Sequence, residues 1–232
     1  MTSTSPTTFA LVPGAGGQAW YWHRVVAELE RRGHAAVAVD LPTADDSAGL
    51  GAYRDAVVEA IGDRRPVVLV AQSMGGLIAP LVCERVPAEL LVLVNAMIPL
   101  PGETGAEWWS VTGQAQASAA QAERDGRVHD PDDMETPFVH DLPDDVAAAL
   151  REQPFAQSSR PFEDPWPLSG WPDVPTRVLA GRDDRFFPAE FQRRIAADRL
   201  GLDVEEIPGG HLAALSRPAE LADRLLACLG SR

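Results

Sequence analysis

Pro66-Val67-Val68-Leu69-Val70-Ala71 is a continuous apolar run, and Gln72-Ser73-Met74-Gly75-Gly76 follows it directly. An apolar helical pattern, Leu77 to Val86, comes next. A buried strand that gives way to a helix in so few residues must turn sharply at the serine. Ala71, Gly75 and Gly76 are small enough to let that helix start close against the strand. The Ser73 hydroxyl then stands clear of the backbone at a strand end. A serine alone is a poor nucleophile, so chemistry at this position needs a base and an acid from elsewhere in the chain.

The same alternation recurs along the sequence. Strands are expected at Thr8 to Val12, Ala35 to Val39, Val67 to Ala71, Leu90 to Asn95, Thr176 to Ala180 and Asp203 to Ile207. Helical patterns separate them at Trp20 to Arg32, Leu50 to Ile61, Leu77 to Val86 and Pro188 to Leu200, and Pro218 to Leu229 closes the chain. Strands joined by helical crossovers build a parallel sheet. Near-continuous apolar strands fit burial on both faces. The expected fold is α/β: a doubly wound, mostly parallel six-stranded sheet with helices on both faces. The gap from Met97 to about Pro175 breaks the rhythm. It holds Trp108, Trp109, Trp166 and Trp171, with short helices expected at Ala115 to Arg124 and Asp144 to Glu152. Loops this long are uncommon unless functional. Residues 1–96 and 173–232 are therefore assigned to one core domain, and 97–172 to a helical lid inserted over Ser73. The competing reading of the gap is a linker, which would rarely carry so many aromatics.

At 232 residues the chain fits one domain with an insertion. Its 20 basic residues are all Arg and face 34 Asp and Glu, a net charge of −14. That balance argues against nucleic acid or an anionic membrane as partner, because phosphates would be repelled. Cys83 and Cys228 lie in apolar helical patterns and read as core thiols. The first six residues lack a basic start and an apolar stretch. No apolar run reaches the roughly 20 residues that a bilayer requires. The expected compartment is the cytoplasm.

His211, in Pro208-Gly209-Gly210-His211, is the candidate base, because it follows the last strand in a glycine-rich loop. His23, His34, His129 and His140 lie elsewhere. The acid comes from Gly181-Arg182-Asp183-Asp184, after the fifth strand; Asp184 is preferred and Asp183 held in reserve. Ser73, Asp184 and His211 follow the chain order Ser, Asp, His. Charge on a reacting carbonyl oxygen would need preset donors. The N–H of Met74 and that of Ala15, in Pro13-Gly14-Ala15-Gly16-Gly17, are assigned to that oxyanion hole. A rival reading starts from the same loop. Gly14-x-Gly16-x-x-Ala19 opens a helix after a strand, and Asp40 ends the next strand where a dinucleotide ribose would be held. Against it stand the bulky Trp20-Tyr21-Trp22 and the Ser, Asp, His order, which a dehydrogenase would not need.

The chain resembles the α/β-hydrolase superfamily, and within it the branch of small esterases and hydroxynitrile lyases. The resemblance rests on Leu11-Val12-Pro13-Gly14-Ala15 with Gln18-Ala19-Trp20, on Gln72-Ser73-Met74-Gly75-Gly76, on Gly181-Arg182-Asp183-Asp184, and on Gly209-Gly210-His211. It covers the core and matches the insertion only loosely. It implies a serine hydrolase that forms an acyl-enzyme on Ser73 with a small apolar ester, without cofactor or metal, on a sheet lacking the N-terminal antiparallel strands. Family lyases carry a threonine in the oxyanion loop and a lysine after the histidine. Gly14 and Leu212 stand there in this chain, so ester cleavage is expected over cyanohydrin cleavage. Trp20, Met97, Trp108, Trp109, Phe138, Phe155, Trp166 and Leu212, with Phe162, are expected around an apolar pocket; the competing reading packs the lid aromatics in the lid's own core. A second class of function stays open, a small-molecule receptor or weakly active binding protein on the same scaffold.

Overall fold

The structure, a computed structural model, describes residues 7–230. The first six residues, read above for a leader, lie outside them. The strands are β1 (Thr8–Val12), β2 (Ala35–Ala38), β3 (Val67–Gln72), β4 (Ala88–Val94), β5 (Thr176–Gly181) and β6 (Val204–Ile207). They form one parallel sheet in the order β2-β1-β3-β4-β5-β6. The core helices are α1 (His23–Arg31), α2 (Leu50–Ile61) and α3 (Gly75–Val82). The segment between β4 and β5 carries α4 (Gly105–Thr112), α5 (Gln114–Arg124), α6 (Thr136–Val139), α7 (Asp144–Arg151) and α8 (Arg160–Glu163). After β5 come α9 (Ala189–Leu200), α10 (Ala213–Ser216) and α11 (Pro218–Gly230). The first crossover opens as a 3₁₀ turn, Ala19–Trp22, before α1 begins. α3 stops short of the expected Val86, where Pro87 disfavours helical backbone at the residue before it.

Side chains alternate across the sheet and build two cores. Phe9 and Leu11 of β1, Val68 and Val70 of β3, and Val92 of β4 pack against Val25 and Leu29 of α1 and Leu221 and Leu225 of α11. Ala10, Val12, Leu69 and Leu93 face the other way, onto Tyr53 and Val57 of α2, Ile78 of α3 and Ile195 of α9. Burial on both faces is what near-continuous apolar strands require. The segment between β4 and β5 is joined to this frame by a bidentate pair. Arg199 of α9 meets both carboxylate oxygens of Glu103, with its Nη2 2.9 Å from Oε1, and both side chains are less than a tenth exposed.

Both cysteines are free, and burial pushes the Cys83 thiol up to about 12, which keeps it protonated and unreactive. Among the described residues no helix is long and apolar enough to cross a membrane.

The strand order reverses beside β1. β2 lies on one side of it and β3 on the other, so the loops leaving β1 and β3 diverge and open a crevice at their carboxyl ends.

Candidate active site

Ser73 sits at that crevice with φ 52°, a left-handed conformation that a serine adopts only when held there. The hold comes from four backbone bonds. Its N–H donates to the Asn95 carbonyl at 3.1 Å and, at 3.4 Å, to that of Val94; its own carbonyl accepts the N–H of Gly76 at 3.0 Å and of Met97 at 2.9 Å. The glycines after it are steric requirements. A Cβ on Gly75 would stand 2.9 Å from the Val12 and Pro13 carbonyl oxygens, and one on Gly76 would overlap the Met97 carbonyl. Gly76→Ala must therefore push α3 or the Met97 backbone aside. It is expected to cost about 1–3 kcal/mol, a fall in Tm of about 2–4 °C per kcal/mol for a chain of this length. Thermal unfolding followed by circular dichroism measures it; an unchanged Tm would show that the helix–strand approach is looser than described.

The imidazole of His211 lies between Ser73 and Asp184. Its Nδ1 is 2.8 Å from Asp184 Oδ2 and its Nε2 3.1 Å from Ser73 Oγ. Asp184 is fully buried and His211 is 1% exposed. An ionised carboxylate only accepts hydrogen bonds, so Nδ1 carries the proton and Nε2 is left to accept the Ser73 hydroxyl proton. The other carboxylate oxygen, Oδ1, accepts the N–H groups of Phe186 and Phe187, both at 2.8 Å. These bonds fix the carboxylate plane. Phe138, Phe186 and Phe187 meet the imidazole edge-on, with centroids 5.0–5.2 Å away, and wall it from water.

Asp183 faces elsewhere. Its Oδ2 accepts the Gly209 N–H at 3.3 Å, and Asp141 of the insertion accepts the Gly210 N–H at 2.7 Å. Both carboxylates hold the histidine loop by its backbone, and only Asp184 reaches the ring. His140, beside Asp141, is held below the usual histidine range by burial, with Arg185 adding to the effect.

Ala15 and Met74 border Ser73 on the same cavity. Among the described residues neither N–H donates to a protein group, whereas the neighbouring Gly16 N–H is taken by Gln157 Oε1 at 3.0 Å. The loop is strapped from the insertion side. Gln18 Nε2 donates to the Pro154 carbonyl, and the Phe155 ring lies so near Gly16 that a Cβ there would stand 2.9 Å from it. At Gly14 a Cβ would stand 2.7 Å from Ser73 Cβ, so this loop has no room for the threonine of the lyases. Asp40, the acid that the dinucleotide reading needs, has its Oδ1 engaged by the Ala19 N–H at 2.7 Å, at the start of the first crossover.

A cavity of about 690 Å³ opens above Ser73. Of the residues expected around it, Trp20, Met97, Trp109, Phe138, Phe155, Phe162 and Leu212 line it. Trp108 and Trp166 do not. Each is a buried packing residue whose indole N–H donates to a backbone carbonyl, Trp108 to Ile98 and Trp166 to Leu77, both at 3.0 Å. Tyr21, Met134, Val139, Leu150, Pro154 and Phe186 add to the apolar wall, and none was expected there. Burial pushes the Tyr21 phenol up, so it stays neutral. The charged residues at the cavity are Glu135 and Arg151, which pair with each other at 2.7 Å.

A family model described as the alpha/beta hydrolase family matches residues 9–224. The chain belongs to that family. Among curated relatives, the probable esterase PIR7A of rice (Oryza sativa subsp. indica) is 27% identical, over 94% of this chain and 95% of its own length. The alpha-hydroxynitrile lyase of Arabidopsis thaliana is 26% identical, over 94% and 95%. Among solved structures, an extracellular alpha/beta-hydrolase from a Paenibacillus species superposes with a TM-score of 0.76 at 21% identity, covering 96% of this chain and 98% of that one. That likeness supports the expected hydrolase fold.

Proposed function

We propose that the protein is a serine hydrolase that cleaves a carboxylic ester of a small apolar substrate through an acyl-enzyme on Ser73. The observation that carries this reading is the relay from Ser73 Oγ through His211 to a fully buried Asp184, opening into an apolar cavity. His211 Nε2 takes the hydroxyl proton as Oγ attacks the ester carbonyl, and Asp184 stabilises the imidazolium that forms. The N–H groups of Ala15 and Met74 receive the oxyanion, helped by the positive end of α3. The alcohol departs with the proton from His211, and water then hydrolyses the acyl group. Segment 97–172 covers the site and supplies most of the apolar wall, among it Trp109, Met134, Phe138 and Phe155. The esterase among the relatives supports ester cleavage. Cyanohydrin cleavage is disfavoured because a departing cyanide needs a cation beside it. Leu212 supplies none, and Arg151 is already paired with Glu135.

The test pairs a fluorophosphonate probe with a panel of p-nitrophenyl esters of increasing acyl length. Stoichiometric labelling of Ser73 together with turnover of apolar esters is the expected result. Labelling without turnover of any ester would favour a receptor, and no labelling would sink the hydrolase reading.

A further inference from the structure

Asn95 touches the segments that bear all three members of the relay, yet its side chain takes no part in the proton transfers. Its backbone carbonyl accepts the Ser73 N–H at 3.1 Å. Its Oδ1 accepts the Gly181 N–H at 2.6 Å, at the end of the strand that leads into Asp184. Its Nδ2 donates to the carbonyls of Gly210 and His211, at 3.0 and 3.2 Å. Gln192 Nε2 adds a second donor to Oδ1 at 3.2 Å, and Gln72 Nε2 a second donor to the His211 carbonyl at 3.2 Å.

The residue type follows from these contacts. The side chain must accept on one side and donate on the other, which a primary amide does and a carboxylate does not. The position is fully buried, so each backbone group it serves would otherwise be unpaired away from water. Its φ is 47°, left-handed backbone that asparagine tolerates better than most residues. Apart from Ser73, Asn95 is the one non-glycine residue with positive φ among the described residues. The two strained positions are joined by a hydrogen bond.

We propose that Asn95 is a positioning residue for the reaction: it holds the histidine loop against the end of β5, at the height where Nε2 meets Ser73 and Nδ1 meets Asp184. The inference rests on the hydrolase reading. Two substitutions separate its contributions. Asn95→Gly keeps the left-handed backbone at no steric cost and removes the amide. Asn95→Asp keeps the shape and the acceptor but turns a carboxylate oxygen toward two carbonyls.

Sites are counted by saturating fluorophosphonate labelling, and turnover is expressed per labelled site. Both variants are expected to label to completion, with KM essentially unchanged and kcat per site about 10–100-fold lower, the penalty of a small misplacement of a reacting group. The low-field proton resonance of the His211 Nδ1–H is the second readout. It is expected in the wild-type protein and in Ser73→Ala, and broadened or lost in both Asn95 variants. Wild-type kcat per labelled site would overturn the proposal, as would activity lost only in proportion to the sites that fail to label. If Asn95→Gly does not fold, the isosteric Asn95→Asp carries the comparison. A wild-type protein that neither labels nor turns over would defeat the hydrolase reading. The resonance would then decide alone, and its retention in the folded variant would overturn the role of Asn95.

Discussion

Ser73→Ala removes ester turnover, with kcat falling by about 10⁴–10⁶-fold, while the far-UV circular dichroism spectrum and Tm stay at their wild-type values. The substitution deletes one oxygen and one hydrogen bond, that to His211 Nε2. The four backbone bonds that hold residue 73 in its left-handed turn involve no side-chain atom, so the elbow persists. The donors assigned to the oxyanion and the apolar cavity persist too, and the small remaining rate comes from them. Hydrolysis of p-nitrophenyl butyrate, compared at equal folded concentration, measures the loss. A variant that kept more than a small residue of wild-type turnover would place the nucleophile elsewhere.

Asp184→Asn is the second large effect, a fall of about 10⁴-fold in kcat, and its cause can be read atom by atom. Oδ1 of residue 184 accepts the N–H groups of Phe186 and Phe187. An asparagine keeps its carbonyl oxygen there, because its NH₂ group would otherwise face two donors. That leaves the NH₂ against His211 Nδ1, which must then accept. The imidazole proton moves to Nε2, and the ring can no longer take a proton from Ser73. KM changes little because Asp184 does not line the cavity. The measurement is steady-state kinetics on the same ester series, with Asp183→Asn as the comparison. Asp183 bonds only to the histidine-loop backbone, so its substitution should cost far less. Equal losses for the two variants would reject the assignment of Asp184.

Much of this was legible in the amino-acid order. The strand–turn–helix around Ser73 and the glycines before His211 mark strand ends, and a parallel sheet brings all its carboxyl ends to one edge. The insertion was harder. α6 and α8 are four residues each, too short for a periodic signal to accumulate. α4 has a signature in Thr104 and Glu107, which form a capping box with bonds of 3.0 and 2.9 Å and lie at the spacing that marks a helix start. Trp108 and Trp109 are adjacent on one helix and point to different surroundings, core and cavity. Composition reports that tryptophans will be covered, not by what. Phe186 could have been suspected from its place two residues after Asp184. Asn95 had a faint signal, an amide closing an apolar strand, but its meaning depends on β5 and the histidine loop lying alongside, which only the strand order reveals.

The pairing of β1 with β3 has a consequence for how such a protein can change. Leu11 is opposite Val70 and Val12 opposite Ala71, so the backbone of the sheet itself sets the spacing between the two loops that reach the nucleophile. Most of the apolar wall hangs from a separate stretch of chain. Residues such as Met134 and Leu150 can therefore be exchanged to admit a bulkier or slimmer guest while the reacting atoms keep their separations. Phe138, Asp141, Phe155 and Gln157 are the exceptions: the first packs on the His211 ring, the second grips the Gly210 N–H, and the last two hold the loop at Gly16. A library that varies the roof and spares those four positions would retune selectivity without detuning the chemistry.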